Sequence, residues 1–132
     1  MTEPARTILY LDDEAACLEV FRQTFGREYD IRTATNSLEA FAALAERPAD
    51  IVIADQTMPG ETGAEFLRET AQRYPASCRT LLTGSVGVGD MLGEISGGLI
   101  DLFIAKPWDA LGMSRALVRA ALVCERRRSG GA

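Results

Sequence analysis

The chain has 132 residues, which fits one domain, and 47% apolar and 25% charged residues are enough for an ordinary hydrophobic core. The net charge of −5 argues against a nucleic-acid-binding surface, which would be basic. No apolar run approaches the length of a membrane span, and no secretory signal is visible, so we expect a cytoplasmic protein without membrane contact.

Five short segments are predicted to form strands, and two of them are nearly continuous apolar runs typical of buried strands. The first, residues 7–11, runs into Asp12 and Asp13. Another, residues 50–54, runs into Asp55 and then a Pro-Gly turn. The remaining strands are predicted at residues 29–34, 79–83 and 99–105.

Helical spacing of apolar residues separates the first four strands. The first helix begins near Glu14 and ends at Gly26, the second follows a cap at Asn36 or Ser37, and the third spans residues 62–74. The predicted inward faces are Cys17, Leu18, Phe21 and Phe25 in the first helix, Leu38, Phe41, Ala42 and Ala45 in the second, and Phe66, Leu67, Ala71 and Tyr74 in the third.

Two further helical segments are predicted in the last third of the chain. Residues 86–98 contain scattered glycines, each costing a helix roughly 1 kcal/mol relative to alanine, so we expect a short or mobile helix there. The last helix starts at Trp108 or Asp109, and its predicted inward residues are Leu111, Leu117, Val118, Ala121 and Leu122. We place the domain boundary after residue 125 and predict residues 126–132 to be a polar Arg/Gly tail or the start of a linker.

The regular alternation of strand and helix predicts an α/β domain with one parallel five-stranded sheet and helices on both faces. In such a sheet, ligands bind outside the carboxyl ends of the strands. The candidate site residues are therefore Asp12 and Asp13 after the first strand, Asp55 after the third, Thr83 at the end of the fourth and Lys106 after the fifth.

Each of these residues has an ordinary structural explanation when taken alone. Acids favour a helix N-terminus, an Asp before Pro-Gly forms turns, a threonine can be a cap, and a lysine can be a surface charge. Such endings on four strands at one edge of the sheet argue against a purely structural explanation of them all.

Carboxylates gathered at one edge repel one another and raise their own pKa values, a conflict that a divalent cation removes. Oxygen ligands suit Mg²⁺, and the chain has no histidine to favour zinc or copper. With such a cation, Asp55 is suited to attack phosphorus, because carboxylates form aspartyl phosphates. Lys106 would add positive charge and Thr83 a hydroxyl donor, which is what phosphoryl transfer requires.

The combination of these motifs resembles the receiver domain of two-component response regulators over essentially the whole chain. The matching residues are the Asp12-Asp13 pair, the Asp55-x-x-Met58-Pro59-x-x-x-Gly63 signature, Thr83-Gly84, Lys106-Pro107, and Phe103 three residues before the lysine. The resemblance implies a flavodoxin-like, three-layer (βα)5 fold with strand order 2-1-3-4-5.

The resemblance also implies a role for each site residue. Asp55 would be phosphorylated, and the ligands of Mg²⁺, with Mn²⁺ as an alternative, would be Asp12 (partly through water), Asp13, Asp55 and the backbone carbonyl of Thr57. Lys106 and Thr83 would stabilise the phosphoryl group, Thr83 and Phe103 would form the switch, and the Lys106–Pro107 peptide bond would be cis.

The implied partners are a sensor histidine kinase or a histidine phosphotransfer protein, and a downstream protein or attached output domain. Phosphorylation would remodel the face made by the fourth helix, fifth strand and fifth helix, and the same face would serve a homodimer. The chain would be no enzyme beyond self-catalysed phosphoryl transfer and autodephosphorylation. It would be either a stand-alone receiver or one cut from a larger protein.

Two alternatives stay open at this point. One is a protein-interaction module that has kept the receiver fold but works without phosphorylation. The other is a Mg²⁺-dependent phosphatase acting through an aspartyl phosphate. That chemistry normally needs a second acid as general acid-base, whereas Gln56 and Thr57 follow Asp55.

Overall fold

The structure, a computed structural model, describes residues 5–84 and 98–130. The elements are β1 (Thr7–Leu11), α1 (Ala15–Phe25), β2 (Asp30–Ala34), α2 (Ser37–Glu46), β3 (Ile51–Asp55), α3 (Gly63–Arg73), β4 (Cys78–Thr83), β5 (Leu102–Ala105) and a C-terminal helix, α4 (Ala110–Gly130). The predicted fourth helix, residues 86–98, lies outside the described residues except for Gly98. Among the described helices, none has the length and apolar character needed to span a membrane.

The five strands form one sheet in the order β2-β1-β3-β4-β5, and every pair of neighbours is parallel. This confirms the predicted flavodoxin-like fold. Asp55 pairs in register with Leu82 of β4, and Thr83 pairs with Ala105 of β5. The carboxyl ends of the central strands therefore meet at one edge of the sheet.

Each face of the sheet is covered by its own hydrophobic core. On one face, α1 and α4 bury the aromatic residues Phe21 and Phe25 and the α4 residues Met113 and Leu117 against β1, β3 and β4. On the other face, α2 and α3 bury Leu44, Phe66 and Leu67, among others, against the same strands. The central strands β1 and β3 are almost fully buried, as expected for strands covered on both faces.

The predicted inward faces of two helices are only partly right, because Phe41 of α2 packs against the core and Leu117 of α4 is buried, whereas other predicted residues are exposed. In α2, Ala40 and Leu44 are buried, whereas Leu38 is 82% exposed. In α4, the buried residues are Met113, Leu117, Ala120 and Cys124, and the exposed ones include Leu111, Val118 and Leu122. Both helices carry apolar residues around more than one side, so the spacing does not single out one inward stripe.

The last helix, α4, extends to Gly130, so residues 126–130 of the predicted tail are helical, and the domain boundary after residue 125 stays a prediction. Arg127 is anchored on the body of the domain, where its Nη1 donates to Asp101 Oδ2 at 2.7 Å and to the Ser77 carbonyl at 2.6 Å. Correspondingly, β5 begins at Leu102 and not at residue 99. The carboxylate of Asp101 accepts hydrogen bonds from both Arg127 and the backbone N–H of Arg79.

Candidate functional site

Three carboxylates meet at the carboxyl edge of the sheet. Asp12 and Asp13 follow β1, and Asp55 is the last residue of β3. One carboxylate oxygen from each residue lies within 4.8 Å of the others. Asp12 is 0% exposed and Asp55 3% exposed, whereas Asp13 lies at the surface. The sequence-based prediction of a shared acidic site therefore agrees with the positions of all three residues.

Lys106 completes this cluster from the end of β5. Its Nζ donates to Asp55 Oδ1 at 2.9 Å. Burial raises the pKa of Asp55, and the acids Asp12 and Asp13 add to this rise, whereas Lys106 opposes it. Burial lowers the pKa of Lys106, but its hydrogen bond to Asp55 and the attraction of the carboxylates outweigh burial, so the net direction is upward. Lys106 thus stays a charged ammonium, and the carboxylate that it faces, Asp55, binds a proton more readily than an exposed aspartate does.

Asp12 is held by two donors that come from its own segment of chain. The hydroxyl of Tyr10 donates to Asp12 Oδ2 at 2.7 Å, and the backbone N–H of Glu14 donates to Asp12 Oδ1 at 3.0 Å. Sequence reasoning missed Tyr10. A signal was available, because residues two apart along a strand point to the same face.

The loop between β3 and α3 is closed by hydrogen bonds around Gln56. Its side-chain Oε1 accepts from the backbone N–H of Ala64 at 2.9 Å, and its carbonyl accepts from the N–H of Gly63 at 3.1 Å. A Cβ on residue 63 would lie 2.5 Å from the carbonyl oxygen of Asp55, so the position needs glycine for close approach. Thr62 and Glu65 then start α3 with a capping box.

The remaining predicted site residues lie around this cluster. Thr83 is buried at the end of β4, and Thr57 is exposed in the β3–α3 loop. Phe103, in β5, is partly buried and packs against the core beneath α2 and α3. The Lys106–Pro107 peptide bond is cis.

The donor set of the cluster fits a hard divalent cation. Asp12, Asp13 and Asp55 offer only carboxylate oxygens, which is the chemistry that Mg²⁺ prefers. A second grouping, Asp12 with Glu14 and Cys17, shares one of these acids. Burial raises the pKa of the Cys17 thiol, so its sulfur is the poorer ligand.

An apolar groove lies beside this cluster, between α1 and the segment that follows β5. Its lining includes Tyr10, Cys17, Val20, Lys106 and Trp108, and its volume is about 330 Å³. The groove therefore places apolar side chains next to Lys106, which pairs with Asp55.

Comparison with known proteins agrees with this geometry. Residues 8–117 match the family model of the response regulator receiver domain. The hydrogenase transcriptional regulatory protein HoxA of Cupriavidus necator is 33% identical over 108 residues, which are 82% of this chain and 22% of the relative. The response regulator protein PilR of Pseudomonas aeruginosa is 33% identical over 115 residues, 86% of this chain and 25% of that protein. The chain thus spans about a fifth to a quarter of these relatives.

A solved structure shows the same fold. The signal receiver domain of an HD domain-containing protein from Pseudomonas fluorescens Pf-5 has a TM-score of 0.87 and 28% sequence identity, covering 98% of this chain and 96% of that one. A family match over most of the chain, the parallel 2-1-3-4-5 sheet and the acids at its carboxyl edge lead to one conclusion: the chain belongs to the response regulator receiver domains.

Proposed function

We propose that Asp55 is the phosphoryl acceptor of this receiver domain. The donor would be a phosphohistidine of a sensor histidine kinase or of a histidine phosphotransfer protein. The observation that carries the proposal is the 2.9 Å contact between Lys106 Nζ and Asp55 Oδ1, beside the carboxylates of Asp12 and Asp13. Membership of a family of phosphoacceptor signalling domains supports it.

In the proposed reaction, a carboxylate oxygen of Asp55 attacks phosphorus, and a P–O bond forms as the P–N bond to the donor imidazole breaks. In this proposal Lys106 would pair with the phosphoryl oxygens, and Thr83, at the end of the adjacent strand, would donate its hydroxyl to them. When bound by Asp12, Asp13, Asp55 and the carbonyl of Thr57, Mg²⁺ or Mn²⁺ supplies charge that offsets the repulsion between the acids and an incoming phosphate.

The reaction needs only positioned charge, so we propose that the domain catalyses its own phosphorylation and autodephosphorylation and turns over no other substrate. Intact-mass analysis after incubation with a small acyl phosphate and Mg²⁺ tests this proposal. We expect one phosphoryl adduct on the wild type, and none on Asp55→Asn or without a divalent cation.

The matched control is Asp30→Asn, which makes the same change at a half-buried acid at the start of β2. It should form the adduct as the wild type does. An adduct that survives in Asp55→Asn, or a wild type that takes up no phosphoryl group from either an acyl phosphate or a phosphohistidine donor, would contradict the assignment.

We propose further that phosphorylation, through Thr83 and Phe103, controls a downstream protein or an attached output domain. The relatives are several times longer than this chain, and HoxA is named as a transcriptional regulatory protein, which supports an attached output. As a response regulator receiver, the chain is expected in the cytoplasm.

A homodimer through the face made by the predicted fourth helix, β5 and the last helix, α4, is part of the same proposal. Of this face, β5 and α4 lie among the described residues. The groove between β5 and α4 is lined by Phe103 together with Asp109, Arg115 and Arg119. In a two-fold dimer, the acid of one protomer could face an arginine of the other, because the same surface meets its own copy. Sedimentation that gives a monomer both with and without the phosphoryl group would rule this dimer out.

A further inference from the structure

Tyr10 is a polar residue in the middle of an apolar strand. It is 1% exposed, and its neighbours in register, Thr33 and Ile53, lie on β2 and β3. Its ring packs edge-on against Phe21 of α1, with 5.0 Å between ring centroids. Burial and the edge-on contact with Phe21 therefore hold the ring, and the ring sets the position of the hydroxyl.

That hydroxyl meets one of the two buried acids of the site. It donates to Asp12 Oδ2 at 2.7 Å, a short hydrogen bond of the kind formed to a carboxylate. The other oxygen of Asp12 accepts from the N–H of Glu14. Each carboxylate oxygen has two lone pairs, so both oxygens keep one lone pair free for a cation or for a water bound to it.

We propose that Tyr10 is a positioning residue of the acidic site, holding the carboxylate of Asp12 in the orientation that binds the divalent cation. The assignment rests on the proposed function in so far as that function places the cation at Asp12, Asp13 and Asp55. Tyr10 itself touches neither the cation nor the phosphoryl group.

The physical basis of this role is preorganisation. An aspartate carboxylate can rotate about its side-chain bonds unless hydrogen bonds hold its oxygens. Loss of such an outer partner of a metal ligand typically lowers metal affinity 10–100-fold. At Asp12, one carboxylate oxygen, Oδ1, is held by the backbone N–H of Glu14. Tyr10 supplies the side-chain donor to the second oxygen, which fixes the plane of the carboxylate.

The same contacts link the acidic site to the apolar groove. Phe21, which supports the ring of Tyr10, also lies 6.1 Å from the ring of Trp108, centroid to centroid. Tyr10 and Trp108 both line the groove.

Titration of the cation-free protein with Mg²⁺ by calorimetry tests the assignment. Tyr10→Phe removes the hydroxyl and leaves the ring that packs on Phe21. We expect its Mg²⁺ affinity to fall about tenfold, the lower end of the range for such outer partners. Tyr29→Phe removes a hydroxyl from a half-buried tyrosine at the opposite end of the sheet and should leave the affinity within twofold of the wild type.

Repeating Tyr10→Phe in an Asp12→Asn background shows whether the hydroxyl acts by orienting Asp12 or only by stabilising the fold. Tyr10→Phe should then alter Mg²⁺ affinity less than twofold, because the carboxylate on which it acts is gone. An unchanged affinity in Tyr10→Phe alone, or an equal loss in the Asp12→Asn background, would overturn the assignment.

This test does not depend on phosphorylation. A wild type that binds Mg²⁺ in a Tyr10-dependent way but forms no adduct on Asp55 would refute the proposed function and leave the role of Tyr10 standing. Adduct formation with equal Mg²⁺ affinities in wild type and Tyr10→Phe would refute only the role of Tyr10. A wild type that binds no Mg²⁺ would refute both.

Discussion

Asp55 is subject to opposing influences on its charge. Burial and the neighbouring acids raise its pKa, and the hydrogen bond from Lys106 only partly offsets them. Because the pKa is higher in the folded chain than in the unfolded chain, the native state binds more protons between the two values. The contribution of Asp55 to stability is therefore most favourable at acidic pH and is lost as pH rises through the folded pKa.

At neutral pH without a divalent cation, Asp55→Asn should therefore raise the free energy of unfolding. We expect a gain on the order of 1 kcal/mol, the ordinary size of a point-substitution effect, and we expect it to shrink as the pH is lowered. Urea unfolding followed by the fluorescence of Trp108, the only tryptophan, measures both.

Asp30→Asn controls for the loss of one negative charge, because Asp30 lies away from the acidic cluster and pairs with Arg47 at the surface. It should show no gain. A destabilised Asp55→Asn at neutral pH would mean that the contact with Lys106 outweighs burial and repulsion.

Individual site residues were predictable to different degrees. Asp12, Asp13, Asp55 and Lys106 could be placed together from sequence, because parallel strands bring their carboxyl ends to one edge. In the sequence, Tyr10 fits an apolar strand, and its hydroxyl becomes informative only when its face is compared with that of the acid two positions on. The roles of Thr57, Thr83 and Phe103 stay predictions.

At the scale of elements, strands were easier to predict than helix rotations. The strands of the centre are continuous apolar runs, and their ends carry distinctive residues. The inward stripes of α2 and α4 are only partly predictable, because alanine and leucine occur on several sides of both helices. The last turns of α4 are anchored by the ion pair between Arg127 and Asp101, which lie 26 positions apart in the chain. Local residue spacing does not reveal such a long-range pair.

This pairing should stabilise the end of α4. Arg127→Ala removes a two-point contact with a carboxylate that is only 10% exposed and a hydrogen bond to the carbonyl of Ser77. We expect the free energy of unfolding to fall by about 1–2 kcal/mol, as for hydrogen bonds to a charged group that is partly screened by water. Urea unfolding of the two proteins measures the difference.

Arg126→Ala is the matched control, since Arg126 is exposed and carries the same charge on the same turn of α4. It should change stability by less than about 0.5 kcal/mol. Truncation after Glu125 should cost at least as much as Arg127→Ala. Full stability of the truncated chain would instead support the predicted domain boundary after residue 125.

For the molecule as a whole, the acidic site is a point where folding and ion binding are linked. The chain carries a net charge of −5, and three of its carboxylates converge at one edge of the sheet. An ion that binds only the folded state stabilises it by mass action, by about 2.7 kcal/mol when its concentration is a hundred times its Kd. We therefore expect Mg²⁺ to raise the free energy of unfolding by this amount at such an excess.

Screening of the net charge by any salt would also raise stability, so the comparison needs NaCl at the same ionic strength. Asp13→Asn, which removes an exposed acid of the cluster and leaves the buried core intact, should lose most of the Mg²⁺ effect and keep the response to NaCl. Equal stabilisation by both salts, or an undiminished Mg²⁺ effect in Asp13→Asn, would mean that the cation acts on the overall charge and not at the edge of the sheet where Asp55 lies.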